Sequence, residues 1–123
     1  MHEDYGYKTR KPDAAEALSW LKEAKSPDER TITGGDGEGW RGAEAIAVVQ
    51  ELYRLGAVCV TAVEIDGRTA KAQRQDTSTL IIELPRDSAK RERLFEWEAT
   101  FAQEQGWDPA TDDGQDYMLI WRD

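Results

Sequence analysis

Residues 57–84 read AVCVTAVEIDGRTAKAQRQDTSTLIIEL, and the expected architecture follows from their pattern. Residues 57–65 are rich in Val, Thr and Ile and are closed by Asp66-Gly67, a dipeptide that favours a turn. After a polar connection, residues 78–84 form a nearly continuous apolar run that Pro85 stops. A strand of that composition suits the middle of a sheet, because it can be buried on both faces. We therefore predict two strands, 57–65 and 78–84.

Helical periodicity flanks this pair of strands. In residues 44–55 the apolar side chains recur every three or four positions, and Gly56 stands where a left-handed cap is needed. On the other side, a helix is predicted over residues 87–105, with Gly106 as its terminator. A last apolar run, residues 117–121, predicts a strand near the end of the chain.

The N-terminal third gives shorter signals. Residues 1–12 are polar and form, in this interpretation, a flexible arm that precedes a single domain over 13–123. A short helix is predicted over 14–25. The β-branched run 30–33 is a candidate for a brief strand, and because glycine-rich residues follow it, this assignment stays open.

The order of these elements predicts an α+β fold. Without the first helix it is strand, helix, strand, strand, helix, strand, and it resembles the ferredoxin-like βαββαβ sandwich. That arrangement implies a four-stranded antiparallel sheet with two helices on one face, here with an extra N-terminal helix. The resemblance covers element order and length alone and therefore assigns no function.

Charge and composition exclude several classes of function. The chain has 123 residues with 16 basic and 25 acidic side chains, so its field repels nucleic acid and anionic lipid. From Glu96 to Asp116 there are seven acidic residues and no Lys or Arg, which is typical of a solvated acidic face. No run is long and apolar enough for a membrane span, and we expect a cytoplasmic protein without nucleic-acid or membrane partners. Cys59 lies in an apolar run and is interpreted as a buried thiol.

Residues 37–42, GEGWRG, match the G-x-G-x-x-G pattern of dinucleotide sites. We interpret them instead as a loop, because Asp36 and Glu38 would oppose a pyrophosphate and Trp40 would crowd its approach. With His2 as the single histidine, neither a zinc site nor a serine or cysteine hydrolase is expected, and no cofactor is predicted.

Two carboxylates remain candidates for acid–base chemistry. Glu64 and Glu83 each interrupt an apolar strand, where burial would raise the pKa of a carboxyl group. The alternative is that both occupy solvent-facing or strand-end positions, which period-two alternation allows.

The candidate contact residues are aromatic and basic. Trp40 and Trp107 flank glycine-containing loops, and Arg68, Lys71 and Arg74 form a basic connection on an acidic protein. Tryptophan and arginine are common in binding hot spots, so these residues are candidates for contacts with a partner. The alternative for the basic connection is a loop whose charges are simply solvated. Trp97 is expected in the core.

The leading hypothesis is a non-catalytic protein-interaction or regulatory module. It would bind a protein partner or self-associate, for instance as a homodimer, through an edge strand or an uncovered sheet face. The first alternative is a small-ligand-binding or carboxylate-based enzymatic domain with a cleft near residues 34–42. The second is an acidic decoy that mimics nucleic acid or shields a basic partner.

Overall fold

The computed structural model describes residues 5–34, 37–67 and 74–122. Within these ranges the chain forms a mixed α+β fold, as predicted. Its strands are β1 (Ala15–Glu16), β2 (Arg30–Thr33), β3 (Gly39–Arg41), β4 (Cys59–Val63), β5 (Gln75–Thr77), β6 (Thr79–Glu83) and β7 (Tyr117–Trp121). Its α-helices are α1 (Ala17–Lys22), α2 (Gly42–Leu55) and α3 (Ser88–Gln105), and a 3₁₀ helix spans Gly6–Arg10.

The two long helices end where their sequences predict. Gly56 follows α2 with a φ of 121°, a conformation that side chains disfavour. At the start of α3, the Asp87 side chain accepts a hydrogen bond from the backbone N–H of Lys90. Gly106 ends α3 in the left-handed conformation. Glycine caps and an aspartate N-cap therefore set three of the four helix ends.

The predicted helix 14–25 is wrong at both of its ends. The Glu16 carboxylate accepts from the backbone N–H groups of Leu18 and Ser19, so α1 begins at Ala17. Ala15 and Glu16 instead form β1, which pairs with β4. The backbone carbonyl of Asp13, just before this segment, accepts a hydrogen bond from the N–H of Ile65.

The main sheet has the strand order β1-β4-β6-β7, and every neighbouring pair is antiparallel. Its register places Ala62 opposite Leu80 and Ile82 opposite Met118. Strand β6 is interior to the sheet and buried along most of its length, which confirms the central position predicted for residues 78–84.

The ferredoxin-like arrangement is not the one that the chain adopts. Residues 30–33 do form a strand, but β2 lies in a second, three-stranded sheet with the order β3-β2-β5. It pairs antiparallel with β3 and parallel with β5. The hydroxyls of Thr31 and Thr33 both donate to Oδ1 of Asp76, and these side-chain bonds support the pairing with β5. In the main sheet, β1 rather than β2 is the fourth strand.

The helices cover one face of the main sheet. The residues of this face belong to one hydrophobic core with Ala45, Val49 and Leu52 of α2 and Leu94 and Phe101 of α3. They are Val60, Ala62, Leu80, Ile82, Met118 and Ile120.

The N-terminal segment contacts the sheet from its other side. Lys8 of the 3₁₀ helix forms an ion pair of 3.3 Å with Glu64, just beyond β4. A Cβ at Gly6 would lie 2.9 Å from the ring of Tyr117 on β7, so only glycine fits there without a shift. Residues 5–12 thus lie against the body. Residues 1–4 are outside the described ranges, and the flexibility of the arm stays a prediction.

Candidate functional site

Four tryptophans and one phenylalanine converge where β3, α3 and β7 meet. We call this set the aromatic surface: Trp40, Trp97, Phe101, Trp107 and Trp121. Trp97 and Phe101 are four residues apart on α3 and therefore lie on one side of the helix. Trp107 follows the Gly106 cap, and its backbone N–H donates to the carbonyl of Ala102 at 2.8 Å. The helix cap thus fixes the backbone of Trp107 beside the last turn of α3.

The rings contact one another in a continuous series. Trp97 and Phe101 are stacked, with centroids 5.8 Å apart and planes within 8°. Trp40 lies 5.6 Å from Phe101 and 6.4 Å from Trp97, again between centroids. Phe101 meets Trp107 edge-on at 6.2 Å, and Trp107 meets Trp121 at 5.0 Å. All of these distances fall in the favourable range for aromatic pairs, so the rings position one another.

Arg122 adds a cation to this surface. Its guanidinium lies 4.8 Å from the ring centroid of Trp40 and 5.9 Å from that of Phe101. Within the ranges that the structure describes, Nε of Arg122 is buried and has no hydrogen-bond partner. Stacking on two aromatic faces therefore takes the place of hydrogen bonds for this part of the side chain.

Exposure differs sharply across the aromatic surface. Phe101 is 5% exposed and belongs to the core, whereas Trp121 is 44% exposed. Trp40, Trp97 and Trp107 are partly buried between these limits. A shallow cavity of about 290 Å³ opens here, lined by Trp40, Val48, Trp97, Thr100, Phe101 and Glu104. The surface thus combines a rigid buried base with accessible ring area.

The acidic segment beside this surface is not solvated throughout. Glu96, Glu104 and Asp108 are exposed, as predicted, but Glu98 is buried and accepts from the backbone N–H of Ala110 at 2.9 Å. Asp112 accepts two hydrogen bonds from Arg91, the shorter of 2.6 Å, and these lower the pKa of Asp112. Glu98 and Asp112 therefore fasten the loop after α3 to that helix.

A second feature is a polar cleft of about 490 Å³. Its lining is Asp28, Thr31, Arg41, Asp66, Gly67, Arg74, Gln75 and Asp76. Arg41 lies 3.4 Å from Asp28, and Asp66 and Asp76 exchange backbone hydrogen bonds across the cleft wall. Both signs of charge are therefore present in one concave site.

The predicted contact residues divide between these two features. Trp40 and Trp107 both belong to the aromatic surface, joined through Phe101. Arg74 lines the polar cleft. Arg68 and Lys71 lie outside the described residues.

The candidate carboxylates are far apart. Glu64 follows the end of β4 that pairs with Thr79, whereas Glu83 pairs with Cys59 at the opposite end. Five positions along a strand correspond to roughly 16 Å. Glu64 is also engaged by Lys8, so the two glutamates do not form a reactive pair.

The glycine-rich residues 37–42 belong to a hairpin and a helix start. Gly39 begins β3, where a Cβ would collide with the backbone carbonyl oxygen of Ile32. This close approach of two strands explains the glycine without a nucleotide. Trp40 and Arg41 then extend to opposite faces of β3.

Sequence reasoning missed part of the site. Trp97 packs against the core, as the sequence predicts, but it also contributes ring area to the cavity. The predicted contact residues do not include Phe101, Trp121 or Arg122, which also belong to this surface. The spacing of four between Trp97 and Phe101 was a usable signal, but the approach of Trp121 and Arg122 depends on the position of β7.

No protein-family model, curated protein or solved structure matches this chain. Across the described part of the chain, no group of three or more His, Cys, Asp or Glu side chains could hold a metal ion. None of the helices in that part has the length and apolar character needed to cross a membrane.

Proposed function

We propose that this protein is a non-catalytic interaction module and that its aromatic surface binds a basic segment of a partner protein. The observation that carries the proposal is the contact series of four tryptophans, one of them 44% exposed, on a base that includes the buried Phe101. Aromatic residues held by their neighbours lose little conformational freedom on binding, and they dominate measured interface energies.

Charge favours a basic partner. The whole chain carries a net charge of −9, and the exposed acids Glu96, Glu104 and Asp108 lie on or just after α3, the helix that supplies Trp97. A positively charged segment would be attracted toward this surface before contact. An apolar side chain of that segment could then occupy the cavity lined by Trp40, Trp97 and Glu104.

A selection from a random displayed-peptide library tests this proposal. We expect enriched peptides that combine one large apolar residue with Lys or Arg on either side. Binding should weaken at least about tenfold in the Trp40→Ala/Trp121→Ala variant, as hot-spot truncation predicts. It should also weaken as salt rises from about 50 to about 500 mM, because salt screens the attraction.

The matched control is Tyr7→Ala, because Tyr7 is an aromatic residue outside the surface with the same 44% exposure as Trp121. Its binding should equal that of the wild type. Peptides that bind the double tryptophan variant equally well, that lack basic residues, or that fail to be enriched at all would contradict the proposal.

A small-ligand-binding role is the second candidate, and the polar cleft favours it. The cleft is lined by Arg41 and Arg74 together with Asp28, Asp66 and Asp76, so it suits a small molecule that carries both an anionic and a cationic group. A panel of amino acids and other zwitterions should then raise the melting temperature of the wild type, since a ligand of the native state stabilises it. The shift should be lost in Arg41→Met. No shift with any zwitterion would reject this role.

A further inference from the structure

The outer edge of β7 has backbone groups without partners in the described chain. At one end of the strand, the N–H of Leu84 donates to the carbonyl of Asp116, and at the other the N–H of Arg122 donates to the carbonyl of Ser78, each at 2.8 Å. Antiparallel pairing alternates, so the backbone groups of even-numbered residues in β7 point to β6. Those of Tyr117, Leu119 and Trp121 therefore point outward.

Open space lies beside the first three residues of this edge. A cavity of about 230 Å³ is lined by Tyr117, Met118 and Leu119 on β7, by Tyr5, and by loop residues that include Thr111 and Gln115. Strand β7 itself, Tyr-Met-Leu-Ile-Trp, contains no charged residue and no proline. Edge strands are usually protected by such residues, because an unprotected edge pairs with another strand.

The edge is complementary to itself. When two β7 strands run antiparallel about a two-fold axis at Leu119, Tyr117 of each copy faces Trp121 of the other, and Leu119 faces Leu119. The outward N–H and C=O groups then meet in register and form about six hydrogen bonds. The same register places Asp116 of one copy opposite Arg122 of the second copy, so opposite charges flank the apolar strand at both ends.

We propose that two copies of this chain associate through the outer edges of β7, which joins their two four-stranded sheets into one continuous sheet. This inference does not depend on the proposed binding of a basic partner. The two also respond to salt in opposite ways. Each copy carries −9, so salt screens the repulsion between copies and strengthens the dimer, whereas it weakens the binding of a basic segment.

Sedimentation equilibrium of the full chain, from micromolar to millimolar concentration, tests the dimer. The wild type should approach twice its monomer mass of 13.9 kDa, and its dissociation constant should fall as salt rises. In Leu119→Pro the imino acid removes one outward N–H while leaving the inward ladder of Met118 and Ile120 intact. We expect this variant to be monomeric.

Leu119→Lys is a second variant that keeps the backbone unchanged and adds a charge at the two-fold axis. It too should be monomeric, since the two lysines would face each other. Val58→Lys, the same kind of change at an exposed apolar residue outside β7, should dimerise like the wild type. A wild type that stays monomeric up to about 1 mM, a dimer that survives both Leu119 changes, or a dimer lost equally in Val58→Lys would overturn the inference.

Discussion

The hydroxyl of Tyr53 donates a hydrogen bond of 2.6 Å to Oε2 of Glu16 and thereby connects α2 to the junction of β1 and α1. The same hydroxyl accepts a bond of 2.9 Å from the backbone N–H of Val60 on β4. Partial burial and the bond to Glu16 raise the pKa of Tyr53, so the hydroxyl is protonated and acts as a donor at neutral pH. One side chain thus holds three elements of the fold together.

Tyr53→Phe should lower the free energy of unfolding by about 1–3 kcal/mol, because it leaves the N–H of Val60 without an acceptor and removes a donor from Glu16. Urea denaturation at neutral pH measures this loss. Tyr7→Phe removes a hydroxyl from an exposed ring and should change stability by less than about 0.5 kcal/mol. Equal stability of the two variants would show that the Tyr53 hydroxyl contributes nothing.

The hydrogen bonds of Glu16 lead us to expect that the protein loses stability in acid. Partial burial alone would raise its pKa, but hydrogen bonds from Tyr53, Ser19 and Leu18 outweigh that effect and lower the pKa below its usual value of 4.5. A carboxylate with a lowered folded pKa contributes stability above its unfolded pKa and loses it as pH falls through the folded pKa. The unfolding free energy of the wild type should therefore fall more steeply below pH 4.5 than that of Glu16→Gln.

Urea titrations between about pH 6 and pH 3 measure these slopes. Tyr53→Phe should have an intermediate slope, since the N–H groups of Ser19 and Leu18 still bind the carboxylate. If all three proteins lose stability in parallel, Glu16 is not the titrating group.

Long elements were predictable because their patterns repeat. Helices α2 and α3 show several turns of apolar spacing, and β4, β6 and β7 are apolar runs with clear ends. The strands β1, β3 and β5 have two or three residues each, too few to show any period. In β5, Gln75 accepts from the indole N–H of Trp20 and Thr77 donates to the carbonyl of Val63. Such long-range polar contacts bury a polar strand, and no local pattern reveals them.

The same limit applies to the aromatic surface. Trp40 and Trp107 could be chosen because glycines precede them, and that choice reflects local chain geometry. Their contact through Phe101 depends on where β3 turns and where α3 ends, and Trp121 joins because β7 pairs with β6. These are tertiary relationships, so the sequence indicated two members of the surface but not the surface itself.

Arg91 should hold the loop after α3 in place. Its guanidinium donates to both carboxylate oxygens of Asp112 and to the carbonyls of Pro85 and Gln115. Arg91→Ala should lower stability by about 1–2 kcal/mol, since the pair is partly exposed and therefore partly screened. It should also speed amide hydrogen exchange at Gly114, whose N–H donates to Asp112.

The control for this change is Arg93→Ala, which removes an exposed arginine from the same helix. Its exchange rates in the loop should match those of the wild type. Unchanged exchange at Gly114 in Arg91→Ala would mean that the loop is held by Glu98 and its other contacts instead.

The aromatic surface should separate into residues that stabilise the fold and residues that bind. Phe101 is 5% exposed and contacts three other rings, so Phe101→Ala should lower the free energy of unfolding by about 3–5 kcal/mol. Trp121 is 44% exposed, and its ring contacts Trp107. Trp121→Ser should therefore lower the free energy of unfolding by less than about 1.5 kcal/mol, because little apolar area is buried there. In urea denaturation, Phe101→Ala should lose more stability than Trp121→Ser. In binding of an enriched basic peptide, measured under conditions in which both variants are folded, Trp121→Ser should lose more affinity than Phe101→Ala. Should Trp121→Ser lose as much stability as Phe101→Ala while binding the peptide normally, the exposed ring would be part of the core and the aromatic surface would have no role in recognition.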